Sequence, residues 1–79
     1  MATIEYKGAE FEYDETALKK WSFIRSMYRA TTDTERTIMA AEALLVDPDG
    51  AAEKLDDSAE DMANLVSAIL ADVSEAAKN

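Results

Sequence analysis

FEYDETALKKWSFIRSMYR, residues Phe11–Arg29, is the stretch whose reading decides the fold. It holds the single Trp (Trp21), both Phe, two of the three Tyr and four of the eight basic residues. Phe11 and Tyr13 alternate with Glu10 and Glu12, the period of a strand with one buried face. At Asp14 the period becomes helical, and Asp is a strong N-cap because its carboxylate accepts the orphan N–H bonds of a first turn. At about 100° per residue, Ala17, Trp21, Ile24 and Tyr28 fall within roughly 60° of one another, with Leu18 alongside. The stretch predicts a strand running into a first helix over 14–30, with Trp21, Ile24 and Tyr28 in the core.

Toward the N-terminus, Ala2, Ile4 and Tyr6 alternate with Thr3 and Glu5, and Lys7-Gly8 reads as a two-residue turn. Gly supplies the positive φ that such turns require. The implied hairpin, 2–13, pairs Tyr6 with Ala9, Ile4 with Phe11 and Ala2 with Tyr13, which puts every apolar side chain on one face. Glu5 then faces Glu10 on the wet side. A lone hairpin is not stable in water, so its apolar face must cover helices.

Toward the C-terminus, Thr31–Thr34 is a polar break in which Thr32 and Glu35 form a capping box. The second helix, 33–46, is apolar almost all round, with Ile38 and Leu45 expected inside and Met39 available to a partner. Asp47-Pro48-Asp49-Gly50 ends it, and 51–55 can add one helical turn. Ser58, or Asp57 with Glu60, caps a third helix over 58–77 whose stripe is Met62, Leu65, Val66, Ile69 and Val73. The expected fold is α+β and mostly α: one domain, 1–79, with an N-terminal β-hairpin packed on a three-helix bundle and Phe11, Leu65 and Ile69 in its core.

At 79 residues a single core is only marginally sufficient. The chain is 48% apolar, which is enough to fold despite a net charge of −9. Uniform acidity argues against nucleic acid as a partner, because phosphate is neutralised by Lys and Arg. The charge is unevenly spread. Lys19, Lys20, Arg25 and Arg29 share the first helix, whereas Asp47–Asp61 holds seven acids and one Lys, a polarity that fits internal pairing or contact between copies. No apolar run approaches the ~20 residues that span a bilayer, and MATIEYKG lacks the blocks of a signal peptide. The expectation is a cytoplasmic protein with no membrane partner.

With no His and no Cys, the commonest general base and the commonest transition-metal ligands are missing. No catalytic residue, cofactor or metal is expected, and the protein reads as a non-enzyme. Asp47-Pro48-Asp49-Gly50 fails as a calcium loop: with Gly50 at the sixth loop position, Leu45 stands where a carboxylate is required. Asp57-Ser58 resembles the attachment site of acyl carrier proteins, but Ala59 follows where that family has Leu, and an N-cap explains Ser58. Phe23 and Met27 lie four residues apart, away from the Trp21 stripe and next to Lys19 and Lys20. Either the hairpin or another helix covers them, or they form a partner groove with a basic rim, which suits adaptable apolar ligands.

The order Ile4-Glu-Tyr-Lys-Gly-Ala-Glu-Phe-Glu-Tyr-Asp-Glu-Thr-Ala-Leu-Lys-Lys-Trp21 resembles the start of tail assembly chaperones of long-tailed bacteriophages and their prophages. Glu42-Ala-Leu-Leu-Val-Asp47 and Leu55-Asp-Asp-Ser-Ala-Glu-Asp-Met-Ala-Asn-Leu-Val-Ser-Ala-Ile69 are similar to their second half, so the likeness spans nearly the whole chain. The resemblance implies a chaperone that binds the tape-measure protein, a long apolar helical rod, while tail-tube subunits assemble around it. It also implies residence in the host cytoplasm and absence from the finished virion. Contact with the tail-tube protein and self-association are further partners to expect. The family is often made in two lengths by a backward ribosomal slip, and Ala77-Lys78-Asn79 can be encoded across A-AAA-AAC, so this chain is expected to be the short product. Two alternatives stand beside it: an acidic inhibitor that mimics nucleic acid, and a carrier modified at Ser58.

Overall fold

Two positive φ angles in succession, 52° at Lys7 and 79° at Gly8, close the N-terminal hairpin. This is the turn whose twist matches that of the flanking strands. Strands β1 (Ala2–Tyr6) and β2 (Ala9–Tyr13) pair antiparallel in the expected register, with Ala2 opposite Tyr13, Ile4 opposite Phe11 and Glu5 opposite Glu10. The computed structural model describes residues 2–77, so Lys78 and Asn79, where the slippage site is expected, lie outside the described residues. After the hairpin come a 3-10 turn (Ala17–Lys19) and four helices: α1 (Trp21–Arg29), α2 (Asp33–Leu44), α3 (Pro48–Lys54) and α4 (Ala59–Ala77). The fold is α+β and mostly α.

The single helix expected over 14–30 is in fact broken. Asp14 does not cap a continuous helix. Its Oδ1 instead accepts from the Thr16 amide (2.9 Å) and hydroxyl (2.6 Å), which holds a turn. Lys20 is extended (ψ 132°) and separates the 3-10 turn from α1. That one extended residue resets the helical phase. Ala17 is buried, but Trp21, Ile24 and Tyr28 no longer follow it inward, and α1 turns Phe23 and Met27 onto the core instead. The core assignment of Trp21, Ile24 and Tyr28 is therefore corrected: Trp21 is 72% exposed and Tyr28 90%.

Each of the next three helices starts on a side-chain cap. Thr32 Oγ1 accepts from the Glu35 amide (3.1 Å), and the Glu35 carboxylate reaches back to the Thr31 amide (3.3 Å). Asp47 Oδ1 accepts from the Gly50 amide (3.1 Å) and folds so closely over it that a Cβ on Gly50 would lie 2.2 Å from Asp47 Oδ2. Ser58 Oγ accepts from the Asp61 amide (3.2 Å), which makes Ser58 the cap of α4. The Pro48–Gly50 segment does not merely terminate a helix. Pro48 opens α3, since its missing N–H is one that a first turn leaves unsatisfied anyway.

Helix α2 also stops two residues short of the expected 46. Leu45 and Val46 leave it to line the outer edge of β2: the Val46 amide donates to the Glu12 carbonyl (3.2 Å) and the Asp14 amide to the Leu44 carbonyl (2.7 Å). The core gathers where these elements meet, with Leu44, Leu65 and Ile69 wholly buried beside Phe11, Tyr13 and Leu45. Ile38 is corrected as well. It is 52% exposed, because α2 presents Ala40, Ala41 and Leu44 inward and the small side chains let its neighbours approach.

Two tyrosines tie the hairpin to α4. The Tyr6 hydroxyl donates to Asp61 Oδ1 (3.2 Å), and Lys7 Nζ pairs with Asp61 Oδ2 (3.0 Å), a contact that holds the Asp61 carboxyl below its ordinary range. The Tyr13 hydroxyl donates to the Asp72 carboxylate, and that bond, with burial second, pushes the Tyr13 phenol up to about 12 from 10.0. A raised phenol pKa means that the folded chain holds the proton more tightly than the unfolded one, so this contribution is intact below pH 10 and is lost as pH rises toward 12. Thermal midpoints measured across that window should fall for the parent chain and fall less for Tyr13→Phe. Identical slopes would remove Tyr13 as the source.

Candidate partner-binding surface

With Phe23, Ser26, Met27 and Ala30 turned inward, the opposite side of α1 faces solvent. It carries Trp21, Ile24 and Tyr28 at helical spacing i, i+3, i+7, so the three side chains form one stripe. These are three of the five large apolar side chains most exposed among the described residues; Ile38 and Val46 are the others. Arg25 and Arg29 run along one flank of the stripe, and both are exposed. No carboxylate pairs with either of them among the described residues. An aromatic surface with unpaired guanidinium groups beside it is suited to stacking and to helix docking rather than to chemistry.

The residues expected to form a partner groove are divided by the structure. Phe23, Met39 and Lys20 line one groove of about 430 Å³ between α1 and α2, together with Ser22, Ser26 and Glu42. Met27 packs on the core nearby and does not line the groove. Lys19 belongs to the 3-10 turn and does not line it. Lys20 Nζ is held 3.3 Å from Asp14 Oδ2, which fixes the basic rim at one end.

The Trp21 stripe is the feature that helical periodicity alone misplaces. Both sides of α1 carry large apolar residues, so the wheel admits two phases. The signal that distinguishes them is charge: Arg25 and Arg29 flank the Trp21 side, while Ser26 and Ala30 are the residues between and beside Phe23 and Met27. Guanidinium groups mark the wet face, and small residues mark the packed one.

Among the described residues there is no buried polar or charged side chain and no group of three or more Asp or Glu placed to hold a metal ion. Ser58 is half-buried and engaged as the α4 cap. Nor is any described helix long and apolar enough to cross a membrane. Comparison of the chain with known protein families, with curated proteins and with solved structures finds no match.

If the stripe is surface, Trp21→Ala and Tyr28→Ala should each change stability by less than about 0.5 kcal/mol. Leu65→Ala, at a site with no solvent exposure, should lose about 2–5 kcal/mol. Chemical denaturation of the three variants checks the contrast. A Trp21→Ala loss on the Leu65 scale would return the indole to the core.

Proposed function

We propose that the chain is a non-catalytic assembly chaperone of the phage-tail type, which holds an apolar helical partner of the tape-measure kind while tail-tube subunits are added. The observation that carries this reading is the exposed Trp21–Ile24–Tyr28 stripe. A folded domain of this size rarely leaves its largest aromatic residue in water unless something covers it. The stripe is helical and offers the anchor spacing by which one amphipathic helix recognises another. The resemblance of Ile4–Trp21 and of the 42–47 and 55–69 segments to tail assembly chaperones supports the same role.

The rest of the surface fits that role through its charge. At −9, copies that coat a rod-like client repel one another and keep an aggregation-prone chain dispersed. The single Trp sits within the proposed contact, so its emission reports binding directly. With a soluble helical segment of a tape-measure protein as titrant, Trp21 emission should shift to the blue, and Tyr28→Ser should weaken binding by about tenfold or more while the thermal midpoint stays near that of the parent. Raising the salt should change the affinity little, because apolar contacts are not screened. Steep salt dependence, or full binding by Tyr28→Ser, would sink the proposal.

A further inference from the structure

On another part of the surface, α2, α3 and α4 line a groove of about 640 Å³. The apolar part of its lining is mostly small: Ala41, Ala52 and Ala63 lie among Ile38, Met62 and Pro48, with Thr34 and Thr37 beside them. Small side chains along a groove let a helix backbone settle close to it, as Ala positions do wherever helices pack tightly. Ile38, one of the lining residues, is half exposed. Three acids, Asp33, Glu42 and Asp49, also line it, and no Lys or Arg does among the described residues. Asp33 is partly neutralised by Arg36 at 3.1 Å, so Glu42 and Asp49 set the sign of the rim.

We infer that this groove is a second docking site, and that it takes an amphipathic helix of a partner chain whose apolar face is flanked by Lys or Arg. The inference is independent of the role assigned to α1. Charge complementarity decides the occupant. The rim is negative and the whole chain stands at −9, so a basic helix is drawn in from a distance and pairs with Glu42 and Asp49 on arrival. A second copy of this chain carries the same net charge of −9, which works against its approach. The two docking surfaces thus have opposite rims, basic arginines beside the Trp21 stripe and acids beside the groove. One molecule can hold two helices without their competing for a site.

The test uses the full chain and synthetic amphipathic peptides of roughly 18 residues, long enough to hold a helix. They share one apolar face and carry either Lys or Glu beside it. A scrambled Lys peptide has the same charge and no apolar face. The Lys-flanked peptide should shift the methyl resonances of Met62, Ala52 and Ala63, leave Trp21 emission unchanged, and bind about tenfold tighter than the Glu-flanked one. In a folded E42K/D49K variant that preference should reverse. Ile38→Ser, a change at an exposed position, should weaken the Lys-flanked peptide without moving the thermal midpoint, which keeps the test valid if the charge-reversed variant does not fold. Equal affinity for the two flanked peptides, equal binding by the scrambled one, or shifts confined to Trp21 would overturn the assignment. So would a mass that rises with concentration and returns to monomer in Ile38→Ser, which would give the groove to a second copy.

Discussion

A two-stranded hairpin has one apolar face, two edges and no third strand to close either, and the rest of this chain is arranged around that shortage. The apolar face is covered by α4 and the end of α2, where Leu44, Leu65 and Ile69 are wholly buried against Phe11 and Tyr13. The outer edge of β2 is closed by the two backbone bonds that link Glu12 and Asp14 to residues 44–46. Edges left open invite pairing with other chains, so the departure of Leu45 and Val46 from α2 serves the hairpin as much as it ends the helix. Lys54 completes the cover: its Nζ donates to the Glu10 carbonyl (3.2 Å) and lies 5.4 Å from the centre of the Phe11 ring.

How much of this is legible in the sequence depends on whether one local rule acts alone. The hairpin register is legible because a two-residue turn and a period of two admit only one pairing that keeps Ile4, Phe11 and Tyr13 on the same side. The Thr32 and Ser58 caps are legible because a hydroxyl ahead of a helical run has a single job to do. The phase of α1 is not. One extended residue, Lys20, interrupts a pattern that reads smoothly through it, and the break is held from outside the helix by Asp14. The placement of Ile38 fails for a related reason. Periodicity ranks Ile above Ala for the interior, but in a tight helix contact the closer approach allowed by Ala40 and Ala41 wins.

The exposed aromatic stripe is hidden in the sequence by the same ambiguity. An aromatic stripe read as core vanishes from any list of sites, and only the phase of the helix brings Trp21, Ile24 and Tyr28 back to the surface. Phe23 is recognisable as a groove residue from its place near Lys20, whereas Met39, on another helix, joins them only in three dimensions. The acid-rimmed groove draws on α2, α3 and α4 together, and no local pattern announces residues that meet only in three dimensions.

Helix α1 differs from its neighbours in how it begins. Its N-cap position is Lys20, with no side-chain cap, no acid in the first turn and no wholly buried residue along its length. A cation at the positive end of the helix dipole is also unfavourable. By these measures α1 opens at less cost than the core helices, and its amides should exchange with solvent ahead of those in α4. The aromatic stripe therefore rides on a helix that neither a side-chain cap nor a wholly buried residue secures. A partner laid along it must first hold α1 in shape, so part of the interaction energy goes into ordering the helix and the complex forms more weakly than its aromatic area implies. In the proposed chaperone role, loose anchoring of the grip would itself be a means of release.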